Sequence, residues 1–137
     1  MLDLLEVELK MAKLLFHRLV EKEFDMDNLN GLEISILVRL SYKYPNIKQH
    51  IPFIRVLNRE VTGVGMYVNF YYIQPNKNFS PLEIFNGSIS TNEIIEVEGL
   101  KHGLGYEVDI SDGMIKFIEF VTYGEEWKGE LINYKFS

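Results

Sequence analysis

The residues best suited to chemistry in this chain are a carboxylate, Glu119, a guanidinium, Arg59, and two phenols, Tyr106 and Tyr123. Glu119 stands in "MIKFIEFVTY", residues 114–123, a run of β-branched and aromatic residues that reads as a strand. Asp112-Gly113 just before it signals a two-residue hairpin, because a type I′ turn needs positive φ at both central positions. An uninterrupted hairpin about that turn sets Ile110 opposite Ile115, Asp109 opposite Lys116, Val108 opposite Phe117 and Tyr106 opposite Glu119. Side chains alternate across a sheet, so Tyr106, Val108, Ile110, Ile115, Phe117, Glu119, Val121 and Tyr123 then share one face, the buried one. An unpaired carboxylate is costly to bury, so the pattern predicts a cation beside Glu119. Arg59, flanked by the apolar strand neighbours Leu57 and Val61, is the candidate, since an arginine fork grips a carboxylate through two hydrogen bonds. The hydroxyl of Tyr106 or Tyr123 would take a remaining lone pair. Such a cluster is either an ion pair that holds the fold or a pocket in which Glu119 serves as acid or base.

Other constellations with recognisable chemistry break down on spacing. The three histidines, His17, His50 and His102, form no HExxH or similar pair, and with no cysteine there is neither thiolate nucleophile nor Cys-zinc site. "DMDNLNGLE" (25–33) looks like a calcium loop, but placing Gly31 sixth makes Met26 the first ligand and Leu37 the twelfth. No GxSxG elbow occurs, and "TGVG" lacks the third glycine of a dinucleotide fingerprint. No metal and no cofactor are expected. Tyr67 and Tyr71 share a strand face opposite Met66, Val68 and Phe70, which makes them, with Trp127, candidate interface residues.

The elements that must position these residues follow from periodicity. Leu5, Leu9, Ala12, Phe16 and Leu19 recur at alternating four- and three-residue steps, predicting a core-packed helix over 3–23. Residues 32–44 suit either a helix (Leu32, Ile36, Leu40) or a strand by alternation; length and the closing "YKYP" select the helix. Strands are predicted at 54–61, 64–73, 93–99, 105–111, 114–123 and 131–136. Between them, 74–92 reads as a long loop in which "SPLEIF" forms one helical turn capped by Ser80 and Glu83. The class is α+β: N-terminal helices packed on a mainly antiparallel sheet of five to six strands. One domain is expected over 1–137, helical to 52 and strand-rich from 53.

With 137 residues, 47% hydrophobic and 25% charged, the chain has the makeup of a globular protein that folds without staples. A net charge of -6 opposes the phosphate backbone, so no nucleic-acid partner is expected; a basic protein or a second copy of the chain is. The acidic N-terminal residues, the lack of a long apolar run and the absence of cysteine point to a cytoplasmic location with no membrane partner.

"NREVTGVGMYVNF" and "ISDGMIKFIEFVTYGEEW" together resemble a family of small, uncharacterised bacterial proteins. The shared pattern is Arg-Glu-x-Thr-Gly-x-Gly, an aromatic, then Asp-Gly, a glutamate, Thr-Tyr and Trp. Arg59, Glu60, Thr62, Gly63, Gly65, Asp112, Gly113, Glu119, Thr122, Tyr123 and Trp127 stand at the matching places, while Phe120 and Val121 depart from a glycine and an aromatic. The resemblance implies a shared fold and no activity. The function expected from sequence is therefore a non-catalytic protein-binding module, in the manner of a toxin-neutralising immunity protein. The alternative is a small enzyme or ligand-binding domain with Glu119 and Arg59 lining its pocket.

Overall fold

A capping box starts the best-buried helix. The Asn30 side chain accepts the Glu33 N–H while the Glu33 carboxylate accepts the Asn30 N–H, both at 2.9 Å. The computed structural model describes residues 4–22 (side chains through 13), 27–74 and 79–137. Helix α1 spans Leu4–Lys22, and the capped helix α2 spans Gly31–Leu40. The ambiguous stretch is thus a helix, ending four residues earlier than expected, and it buries Leu32, Ile34, Ile36, Leu37, Val38 and Leu40. A short helix α3 (Ile47–His50) and a 3-10 turn (Ile51–Phe53) lead into the sheet.

Of the described members of the expected stripe, Ala12 packs against the core while Leu5 and Leu9 do not. Leu5 and Leu9 are 55% and 49% exposed, whereas Glu8 is 4% exposed. Arg39 on α2 is the cause: its Nε donates to Glu8 at 2.8 Å, its Nη1 bonds Glu93, and its guanidinium lies 3.8 Å over the Phe136 ring. One guanidinium thus rolls the helix so that an acid, rather than two leucines, faces the protein. Burial raises the Glu8 pKa, against the lowering effect of Arg39. The side chains of Phe16, His17 and Leu19, and the residues Asp25 and Met26 of the calcium-like loop, lie outside those described.

Seven strands form one antiparallel sheet: β1 (Ile54–Val61), β2 (Gly65–Tyr72), β3 (Gly87–Ile89), β4 (Ile95–Glu96), β5 (Leu104–Ser111), β6 (Met114–Thr122) and β7 (Lys135–Phe136). Their order is β1-β2-β6-β5-β4-β7, with β3 also pairing β5. The architecture is therefore α+β as expected, with a slightly larger strand count because β3 falls inside the predicted loop. "SPLEIF" is not a helical turn. Glu83 reaches the Asn46 N–H at 3.2 Å instead of its own turn, and Leu82 N–H bonds the Gly113 carbonyl, so cross-chain partners replace the local ones.

Two bulges decide which side chains face the helices. In β1 the register shifts between Val56 and Asn58, leaving Leu57 as an extra residue, 62% exposed. In β6, Ile110 pairs Ile115 while Asp109 pairs Phe117, so Lys116 is the extra residue. A one-residue shift exchanges the faces of everything beyond it. Ile118 and Phe120 consequently join Tyr106, Val108, Ile110, Val68, Phe70 and Met66 in the core.

Candidate functional site: an acidic row on the outer face of the sheet

The bulge at Lys116 turns Glu119 away from the core. Residues paired across neighbouring strands share a face, and the register links Glu60 to Tyr67, Tyr67 to Glu119 and Glu119 to Glu107. A single row across β1, β2, β6 and β5 therefore carries three carboxylates and one phenol on the face away from α2. At roughly 4.8 Å per strand step the row spans about 14 Å. Glu107 and Glu119 are direct cross-strand neighbours, an arrangement in which like charges repel. Glu119, as a hydrogen-bond acceptor for the Tyr67 hydroxyl and then by its charge, raises the Tyr67 pKa. The Tyr67 ring also meets Phe117 edge-on at 5.5 Å.

One end of the row opens into a cavity of about 360 Å³, lined by Ser90, Asn92, Glu93, Gly105, Tyr106, Glu107, Glu119, Val121 and Tyr123. It lies where the ladder on the far side of β5 is interrupted: β3 pairs residues 108–110 and β4 pairs Leu104, with the 90–94 connection passing between them. Glycine at 105 shapes this floor, because a Cβ there would come within 2.6 Å of the Tyr123 hydroxyl. Tyr106 is largely buried, and its hydroxyl lies 2.6 Å from Thr91 Oγ1, which donates on to Glu93 at 2.8 Å. Burial raises the Tyr106 pKa. The cavity thus combines three carboxylates, one of them engaged by Arg39, with two tyrosines and short polar side chains. Among the described residues no three His, Asp or Glu side chains form a group that could hold a metal ion.

Of the four residues expected to cluster, Glu119, Tyr106 and Tyr123 line this cavity and Arg59 does not. Arg59 is partly exposed, as are its apolar neighbours Leu57 and Val61, and its partner is Glu33: Nε donates to Oε2 at 2.9 Å and Nη2 to Oε1 at 2.8 Å. Glu33 is fully buried, and this hydrogen bond is the main reason the Arg59 pKa is raised. The expected Arg59–Glu119 pair is not formed, because the guanidinium is taken by Glu33. Sequence reasoning missed Glu33 because it was read only as a helix residue; "NLNGLE" as a capping box, with the glutamate beside apolar neighbours, was the available signal. It missed Glu107 and Glu60 because one uninterrupted register was assumed.

The expected interface residues separate. Tyr67 sits in the acidic row. Tyr71 is on the same face, but its hydroxyl donates to Asp27 at 3.1 Å, and the turn at Asp27 also accepts the Val56 N–H. Trp127, 7% exposed, packs edge-on against Phe120 and donates its indole N–H to the Glu130 carbonyl, so it closes the sheet end and offers no contact surface. No helix among the described residues is long and apolar enough to cross a membrane. No protein-family model, curated protein or solved structure matches this chain.

Proposed function

We propose that the protein is a non-catalytic binding module whose outer sheet face receives a basic segment of a partner protein. The observation that carries this reading is the row Glu60–Tyr67–Glu119–Glu107, with two glutamates placed directly opposite each other. Such a pair costs the fold stability; a lysine or arginine inserted between them removes the repulsion and gains charge-assisted hydrogen bonds. Tyr123 at the cavity wall offers an aromatic face to the same cation. A second copy of the chain fits poorly, since it brings the same net charge of -6. The enzyme alternative has lost the arginine it required, because Arg59 is committed to Glu33 on the opposite face.

Calorimetric titration with an extended arginine- and lysine-rich peptide tests the reading. Binding should weaken steeply as salt rises from roughly 0.03 to 0.3 M, because exposed charges are screened over a Debye length that shrinks across that range. It should also be lost in a Glu107→Gln, Glu119→Gln double variant that remains folded. Equal affinity for a glutamate-rich control peptide would defeat the proposal.

A further inference from the structure

His50 is fully buried at the end of α3, and both of its ring nitrogens are engaged. Nε2 lies 2.7 Å from the Ser80 carbonyl, which can only accept, so Nε2 carries the proton. In the neutral ring Nδ1 is then an acceptor, and the Tyr72 hydroxyl donates to it at 2.9 Å. The Tyr72 oxygen in turn accepts the Ile115 N–H at 2.8 Å. Phe79 packs on the imidazole with ring centroids 4.4 Å apart, leaving water no access.

The bond to the Ser80 carbonyl ties His50 to one segment. Residues 79–86 lead into β3 without regular structure, and their hydrogen bonds include Glu83 accepting the Asn46 N–H at 3.2 Å and Asn86 Oδ1 accepting the Asp112 N–H at 3.0 Å. Ser80 C=O is held by His50, Ser80 N–H by Gln49 at 3.2 Å, and Pro81 C=O by Asn46 at 3.0 Å. Leu82 N–H bonds Gly113 C=O at 2.9 Å, and Gly113 N–H bonds Phe85 C=O at 2.7 Å. The segment is a strap between α3 and the turn of the β5–β6 hairpin.

Protonating Nδ1 reverses its role. Two donors, the new N–H and the Tyr72 O–H, then face each other, and the Tyr72 oxygen already accepts from Ile115. A charged ring is also left in an apolar enclosure. Among the groups around the ring, Tyr72 on β2 is neutral, β6 contributes only the Ile115 backbone, and the charge acting on it is that of Glu83 on the strap. Burial outweighs that carboxylate and lowers the His50 pKa.

We propose that His50 is a pH-operated latch: neutral, it fastens the 79–86 strap to α3 and β2, and protonated, it lets the strap go. The sign follows from linkage. A group whose pKa is depressed in the fastened state stabilises that state above its free value and loses this contribution as pH falls. For a free imidazole near 6.5, fastening weakens by up to roughly tenfold one pH unit lower, at about pH 5.5.

Amide hydrogen exchange on the wild-type protein, corrected for intrinsic rates, reads this directly. Protection at Leu82 and Gly113 should fall by up to about tenfold between roughly pH 7.5 and 5.5, while Val68 and Ile118 in the sheet hold their protection. In His50→Gln, which keeps a donor and an acceptor but cannot titrate, the pH dependence at Leu82 and Gly113 should vanish. Unchanged protection in the wild type, an equal loss at every core amide, or a dependence that persists in His50→Gln would each overturn the latch. Should His50→Gln fail to fold, the two wild-type comparisons decide alone.

Discussion

Removing the Arg59 guanidinium should reveal how much of the fold's stability rests on one buried acid. In Arg59→Ala, Glu33, fully buried in the wild type, loses two of its carboxylate's three hydrogen bonds, keeping only that from the Asn30 N–H. Stranding one member of a buried pair costs roughly 3–5 kcal/mol. The Arg59 side chain is 33% exposed. Water therefore already weakens the pair, placing the loss at the low end, about 3 kcal/mol. With a urea dependence of about 2 kcal/mol per molar for a domain of this size, the unfolding midpoint drops by about 1.5 M. The reverse truncation should be milder, because a stranded arginine at the surface can turn to solvent. Glu33→Gln keeps an acceptor for Asn30 and for the guanidinium and should cost less than Arg59→Ala. A midpoint shift in Arg59→Ala below about 0.5 M, with an unchanged urea dependence, would refute the reasoning, since a buried carboxylate with one donor left cannot be so cheap.

The outer row behaves oppositely. Glu119→Ala should leave stability within about 0.5 kcal/mol of wild type, and Glu107→Gln should raise it by about 0.2–1 kcal/mol by ending a cross-strand repulsion; a large loss in either, read from chemical denaturation, would put Glu119 back in the core. Gly65→Ala should destabilise by roughly 1–3 kcal/mol, because its Cβ would fall 2.2 Å from the Phe120 carbonyl oxygen on the adjacent strand; thermal unfolding checks this, and an unchanged midpoint contradicts the strand spacing. Tyr72→Phe removes the acceptor for Ile115 N–H and the donor to His50, costing roughly 1–3 kcal/mol near neutral pH. The gap to wild type should narrow as pH falls below about 6.5, where the wild type loses its own His50 contribution; parallel stability-against-pH curves would contradict that.

What the sequence revealed was set by period and by turn chemistry. Asp112-Gly113 marked the hairpin because positive φ is needed there, and both residues have it, at 54° and 72°. The β-branched and aromatic content of β1, β2 and β5 between turn formers located those strands to within a residue, and the length of the apolar stretch selected the helix for α2. The bulges at Leu57 and Lys116 were not legible, because an extra residue in a strand leaves the composition unchanged and shows only against its partner's register. That single slip exchanged Glu119 with Phe120 and Ile118, and with it the meaning of the most conspicuous carboxylate. The expected pairing of Glu119 with Arg59 failed because the arginine's acid comes from a helix cap, and the tertiary proximity of Glu33 and Arg59, 26 residues apart, has no local signature. Short strands such as β3, β4 and β7 depend on their neighbours for definition and were blurred for the same reason. The His50 site was hidden too, since its partners come from three separate segments.

The proposed binding face is tested most directly by two-dimensional NMR during titration with the arginine- and lysine-rich peptide. Shifts should concentrate on Glu60, Tyr67, Glu107, Glu119 and Tyr123 and disappear in the Glu107→Gln, Glu119→Gln variant. Shifts confined to the helical side around Leu5, Leu9 and Phe136, or none at peptide concentrations that saturate other acidic surfaces, would contradict it.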